Sequence, residues 1–286
     1  MLQDEKIVSN TEKNVQFYDS FYAQTDLNKI FRRLDKYASF LADARITDAS
    51  WTAMYLDNFQ DQLKGKRVLE LGCGDCLNAG LMALLGAQVF ANDLSSVSGQ
   101  LVAALNERYQ FTHPIQFIGC DFLEADLEEN TFDIVVGKAF VHHLTPEQEQ
   151  MFHQKINRIL KKEGKVRFVE PAENSPLLDK IRFMIPVFER PSIFQRKKFA
   201  AWKEKDTHPD RENTTQYYKE IGLQYYEKVN VQVMGCVHRL HRLLPDSTFN
   251  RKFRRWAFRV ERFLPKPVQV FFGRIQTIDY AIPRKK

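Results

Sequence analysis

The spacing of apolar residues changes near residue 66. Before it, apolar and aromatic positions recur at helical intervals: Phe17, Tyr18, Phe21 and Tyr22; Ile30, Leu34, Tyr37 and Leu41; Trp51, Met54, Tyr55 and Phe59. Side chains three and four apart share one helix face, so residues 1–62 are predicted as a helical cap, its first helix starting at Thr11-Glu12-Lys13-Asn14. These stripes either pack on the main body or, at the N-terminal end, lid a ligand pocket. From Lys66 short apolar runs alternate with helical patterns. Strands are predicted over Arg67–Leu71, Gln88–Asn92, Ile115–Gly119, Phe132–Gly137 and Lys165–Val169. The helices between them are Leu77–Leu85, Gln100–Tyr109 and one from Thr145-Pro146-Glu147 to near Gly164. Thr145 supplies a capping hydroxyl ahead of a proline at the first helical position, and Gly86 ends the helix Leu77–Leu85 as its C-terminal glycine. Such alternation predicts an α/β fold, a doubly wound and mostly parallel sheet with its ligand at the carboxyl ends of the strands.

Beyond Glu170-Pro171 the pattern is weaker. Residues 176–188 read as a helix broken at Pro186, and 189–211 as a long loop. Thr214–Ile221 reads as a helix closed by Gly222, Leu223–Val233 as a strand and about Asp246–Phe263 as a basic helix. Val268–Ile282 fits a final strand or a helix with a short strand. The expected organisation is a cap over 1–62, a ligand-binding core over 63–171 and a C-terminal extension over 172–286 that walls the second substrate.

The chemistry collects where strands end. Lys66–Gly74 is a buried strand running into Gly72-Cys73-Gly74, and glycines there let the backbone approach a ligand at a helix N-terminus. Asp93 closes the second strand 21 residues after Gly72, where an acid can accept both hydroxyls of a ribose. Asp121-Phe122 closes the third strand and offers a carboxylate and a ring face to an adenine. The fourth strand leads into Gly137-Lys138-Ala139-Phe140-Val141-His142-His143-Leu144. Leu77 stands where a nicotinamide-binding turn carries its third glycine, so that cofactor is disfavoured. Cys73-Gly74-Asp75-Cys76 also spells a Cys-x-x-Cys, but no second Cys or His pair has zinc-site spacing, and no metal constellation is evident.

Glu70-Leu71-Gly72-Cys73-Gly74 resembles the first motif of the class I S-adenosylmethionine (SAM) dependent methyltransferases. The resemblance extends through Asp93-Leu94-Ser95, Cys120-Asp121-Phe122, Phe132-Asp133-Ile134-Val135-Val136 and the His-His-Leu before the next helix, over about residues 64–171. Cys76 departs from it, because many members carry a third glycine there. The resemblance implies a Rossmann-like class I methyltransferase sheet, SAM as cofactor and S-adenosylhomocysteine as product. It also implies roles. Gly72, Cys73 and Gly74 line the methionine part, and Glu70 supports the turn and approaches the amino group. Asp93 takes the ribose and Leu94 packs on adenine. Asp121 and Phe122 meet the adenine edge and face, and Lys138 and Ala139 lie under the methionyl tail. Tyr18-Asp19 is similar to a Tyr-Asp in small-molecule members, where the first helix closes over SAM.

Methyl transfer from a sulfonium is an in-line displacement, so the protein supplies alignment, a dry site and, where needed, a base. His142, His143 and Glu170 are the candidates for that base. The expected acceptor is a small molecule attacked at O or N, of sugar, lipid-linked or natural-product type. The alternatives are a catalytically silent SAM-fold protein, or an enzyme that uses a basic C-terminal face on a membrane or RNA.

Composition adds two points. The four cysteines are scattered and the N-terminus lacks a signal-peptide layout, so a cytoplasmic protein is expected. The net charge of +6 is unevenly placed, with eight Lys/Arg against two acids between Arg239 and Arg262. That segment reads as a solvated helix with Phe253, Trp256, Phe258 and Phe263 facing the core. A peripheral contact with an anionic membrane comes second and nucleic acid third, since no RNA-binding module is evident.

Overall fold

The computed structural model describes residues 15, 17–187, 190–204 and 208–285; the helix start expected at Thr11–Asn14 lies outside them. Residues 17–22 form α1, followed by α2 (Leu27–Leu34), α3 (Tyr37–Thr47) and α4 (Ala49–Met54). The core alternates β1 (Arg67–Leu71), α5 (Leu77–Leu84), β2 (Gln88–Asn92), α6 (Ser96–Arg108), β3 (Gln116–Ile118), β4 (Phe132–Lys138), α7 (Pro146–Ile159) and β5 (Leu160–Pro171). Then come α8 (Pro176–Met184), α9 (Arg196–Glu204), α10 (Thr215–Tyr225), β6 (Tyr226–Met234), α11 (Thr248–Glu261), α12 (Lys266–Phe272) and β7 (Ile275–Pro283).

The seven strands form one sheet in the order β3-β2-β1-β4-β5-β7-β6. β1 to β5 are parallel, and β7 runs antiparallel between β5 and β6. Strand order reverses beside β1, whose carboxyl end is therefore the switch point where ligands bind in open α/β sheets. The sheet is covered on both faces, which is why Val68, Leu69 and Leu71 form a nearly continuous apolar run. One core layer joins Ile30, Leu34, Trp51 and Met54 of the N-terminal helices to Leu81 and Leu105 of α5 and α6. The other joins Phe152 and Ile156 of α7 and Tyr218 of α10 to Phe132, Phe168 and Tyr280 of the sheet.

Several boundaries depart from the sequence expectation for identifiable reasons. α7 ends at Ile159, and Gly164 lies inside β5 rather than closing the helix. Gly222 lies inside α10: a Cβ there would sit 2.3 Å from the Tyr280 ring, so this glycine permits close helix-to-sheet packing instead of ending the helix. Residues 189–211 are not all loop, because α9 occupies Arg196–Glu204. Val268–Ile282 divides into α12 and β7. In α11, Phe258 is buried, but Trp256 is 52% exposed, as is 87% of Phe263 just beyond it. Among the described residues no helix is long and apolar enough to cross a membrane.

Candidate active site

β1 delivers its last side chains to the switch point. Glu70 is buried, and its Oε1 accepts a 2.7 Å hydrogen bond from Asn78 on α5. The Asn78 Oδ1 accepts in turn from the Tyr55 hydroxyl at 2.8 Å. The second carboxylate oxygen, Oε2, is buried without a hydrogen-bond partner. Burial without a full set of donors pushes the Glu70 pKa up to about 8.

The turn after β1 needs glycine at two places. Gly72 (φ 62°) and Gly74 (φ 55°) are left-handed, and a Cβ on either would collide with a ring from above, Phe140 over Gly72 and Tyr22 over Gly74. Cys76, which stands where the third glycine was expected, also has a left-handed φ of 58°. A non-glycine residue there costs on the order of 1 kcal/mol. Its buried thiol lies 3.4 Å from the Gly74 and Ser98 carbonyls. The Cys73 and Cys76 sulfurs are 3.7 Å apart and unbonded. Their mutual hydrogen bond and burial hold the Cys73 thiol well above its ordinary pKa, the opposite of a thiolate redox pair.

β2 ends at Asp93, which accepts from the Gly74 N–H at 2.8 Å and the Ser95 N–H at 3.0 Å. A carboxylate has about four acceptor sites, so Asp93 keeps capacity for a ligand. The Ser95 hydroxyl donates to Asp19, tying α1 across the site. Asp121 takes the Leu123 N–H at 2.8 Å, and the buried Phe122 packs its ring 4.9 Å from Phe152. Lys138 places its ammonium 4.2 Å from the Trp51 ring centroid. Ala139 has φ 55°, which turns the chain sharply out of β4.

These residues line one cavity of about 420 Å³, within the range of small-molecule sites. Its wall includes every cofactor-binding residue expected from sequence: Tyr18, Glu70, Gly72, Cys73, Gly74, Asp93, Leu94, Asp121, Phe122, Lys138 and Ala139. Of the three candidate bases only His143 is part of that wall. Its Nε2 lies 3.0 Å from the Tyr18 hydroxyl, and the Tyr18 ring meets Tyr22 at 5.4 Å. Burial, with His142 and His208 alongside, lowers the His143 pKa to about 2, so its ring is neutral.

Glu170 and His142 sit behind the wall. The fully buried Glu170 carboxylate accepts from the backbone N–H groups of Phe140 (3.0 Å) and Val141 (2.7 Å) and meets His142 Nδ1 at 2.5 Å. Occupied in this way, Glu170 shapes the β4–α7 loop instead of facing a substrate. Arg211 clamps the same loop from the far side, donating to the Val141 (2.8 Å) and Leu144 (3.0 Å) carbonyls and to Glu149 (2.6 Å). The fold also assembles a group that sequence spacing missed: one nitrogen each of His142, His143 and His208 lie within 4.8 Å of one another. No spacing rule joins His208 to the pair, because it comes from the segment between α9 and α10.

A buried acid with an unpartnered oxygen, the Asp93 carboxylate and the aromatic residues of α1 thus share one cavity. Residues 69–168 match a family model described as a methyltransferase domain. Over this stretch the chain is similar to methyltransferase domains. The matched stretch holds the parallel strands up to β5, and β6 and β7 complete the seven-stranded sheet, the Rossmann-like fold of class I methyltransferases. The solved structures agree on the fold. A phosphoethanolamine N-methyltransferase 2 from Haemonchus contortus, complexed with phosphomonomethylethanolamine and S-adenosylhomocysteine, superposes with a TM-score of 0.51 at 14% identity. That match covers 91% of this chain, which spans only 61% of the Haemonchus protein. A SAM-dependent methyltransferase from Archaeoglobus fulgidus gives a TM-score of 0.51 at 18% identity, covering 85% of this chain and 99% of that one. Geranyl diphosphate C-methyltransferase from Streptomyces coelicolor gives 0.52 at 12% identity, covering 82% and 79%. No curated protein matches the sequence.

Proposed function

We propose that this methyltransferase domain moves the methyl group of SAM to an oxygen or nitrogen of a small-molecule acceptor, with Tyr18 and His143 at the reacting end of the cavity. The observation that carries this reading is the Tyr18–His143 hydrogen bond, which joins the closing helix α1 to the loop after β4 at the cavity wall. Glu70 Oε2 receives the α-ammonium of SAM, which supplies the donor that this buried oxygen lacks. Asp93 binds the ribose diol, Asp121 and Phe122 hold the adenine, and Gly72 and Gly74 let the methionyl chain pass close to the backbone. SAM itself supplies an activated methyl group on a cationic sulfur.

The protein's remaining task is alignment and proton acceptance. A neutral His143 keeps a lone pair at every physiological pH. It is a weak base, which suits an acceptor whose proton becomes strongly acidic only as the new bond to carbon forms. Tyr18 orients that ring and closes the site in one contact. His142 and Glu170 are positioning residues, since the carboxylate holds both the His142 ring and the backbone that presents His143. The neighbouring solved structures act on nitrogen in one case and carbon in another, so the choice of O or N rests on the base. A cytoplasmic location fits the four free thiols.

The test is methyl-labelled SAM offered with panels of hydroxyl and amine acceptors. Once an acceptor is found, His143→Ala should lower kcat at least 100-fold while leaving SAM affinity within threefold, and Tyr18→Phe should have a smaller effect on kcat. Wild-type turnover by His143→Ala would rule out this assignment.

A further inference from the structure

Helix α11 turns its buried face inward through polar anchors. Glu261 accepts the backbone N–H groups of Gly235 (2.8 Å), Val237 (2.8 Å) and His238 (2.7 Å). Asn250 donates to the carbonyls of His241, Leu244 and Pro245. Both side chains are buried, so the rotation of the helix about its axis is fixed. What it presents outward follows from that rotation. Phe249, Lys252, Trp256 and Arg259 are spaced by three and four residues and form one narrow stripe, which Phe263 continues just past the helix end. Its three aromatics are 66%, 52% and 87% exposed. Single exposed apolar residues need no explanation, but an ordered row of large rings does. Lys252 and Arg259 make no ion pair among the described residues, whereas Arg251 and Arg255, toward the body, are held by Asp43 at 2.7 and 2.6 Å.

We propose that this stripe of α11 is a docking surface for an anionic lipid bilayer, with the rings entering the headgroup boundary and the two cations meeting lipid phosphate and carboxylate. The argument rests on the alternation itself. Rings of Trp and Phe favour the interface between apolar chain and water, and Lys and Arg between them neutralise a negative surface. A second copy of this chain fits the same stripe poorly. The three-four spacing would pair it as a helical seam, and in a symmetric pair Lys252 and Arg259 would be brought against like charges. The surface lies outside the SAM cavity, so the inference stands apart from the acceptor assignment.

The experiment is co-sedimentation of the full chain with phosphatidylcholine vesicles, with and without roughly one-third phosphatidylserine. The expected result is binding to the anionic vesicles at least tenfold tighter than to neutral ones, weakening as salt is raised. The double variant W256A/F263A should bind at least tenfold more weakly, and K252A/R259A should lose most of the preference for anionic lipid. All four positions are exposed, and S-adenosylhomocysteine affinity within twofold of wild type verifies that each variant is folded. Tryptophan emission should shift to the blue on binding and lose that shift in Trp256→Phe. Equal binding to neutral and anionic vesicles, or none to either, would overturn the proposal. So would wild-type vesicle binding by both double variants. A dimer abolished by W256A/F263A, or a gel shift of single-stranded RNA, would equally overturn it if found without vesicle binding.

Discussion

Replacing Glu70 by Gln separates what this residue does for the apo fold from what it does for the cofactor. The folded protein holds the Glu70 proton up to about pH 8, whereas the unfolded chain releases it near 4.5. The folded pKa is the higher one, so the contribution to stability is fully present below 4.5 and is lost as pH rises through 8. At one pKa unit per 1.36 kcal/mol, the whole difference is about 5 kcal/mol, and about 2 kcal/mol of it falls between pH 6.5 and 8.5. His143, His238 and His241 have depressed folded values, of about 2, 4 and 4, so their contribution is complete above the ordinary histidine value of 6.5. The Asp93 carboxyl, also raised by burial, is common to both proteins and cancels in the comparison. Chemical denaturation of the ligand-free protein at pH 6.5, 7.5 and 8.5 should show wild type losing about 2 kcal/mol more than Glu70→Gln. The same substitution should weaken SAM binding by about 10- to 100-fold, because a carboxylate–ammonium contact becomes an amide contact. Wild-type SAM affinity should also tighten as pH rises toward 8, with proton release on binding. Parallel pH slopes together with unchanged SAM affinity would refute the reasoning.

The other expectations follow the same geometry. Asp93→Ala should weaken S-adenosylhomocysteine at least tenfold, about 1.4 kcal/mol, by calorimetry, since the ribose loses its acceptor. Gly72→Ala should lower cofactor affinity and melting temperature together, because the added Cβ would lie 2.4 Å from the Phe140 ring at a left-handed φ. Arg211→Met should cost about 3–5 kcal/mol in denaturation by leaving Glu149 buried without its cation, and should slow turnover by loosening the loop that presents His143.

What the sequence made legible was local. A strand, a glycine turn and a helix start occupy adjacent residues, so the turn at Gly72 and Gly74 and the strand ends at Asp93 and Asp121 are legible from periodicity and turn chemistry, while Glu70 enters only through the family resemblance. What escaped was long-range. Glu170 reads as a pocket acid because it ends a strand, yet its oxygens are taken by backbone N–H groups of a loop thirty residues earlier in sequence. Arg211 and Asp19 act through contacts with Glu149 and Ser95 that no local pattern encodes. α9 reads as loop in the sequence because it buries no residue and so has no apolar stripe to detect. Trp256 and Phe263 read as core residues in the sequence because large aromatics usually are; the anchors Asn250 and Glu261 reveal which way the helix is turned.

The central claim is that the cavity beside β1 is built for SAM, with Glu70 and Asp93 as its charged anchors. Titration calorimetry of wild type, Glu70→Gln and Asp93→Ala with S-adenosylhomocysteine tests it most directly. One saturable site in wild type, weakened at least tenfold in each variant, is the expected result. No wild-type binding at millimolar ligand, or equal affinity in all three proteins, would contradict the account.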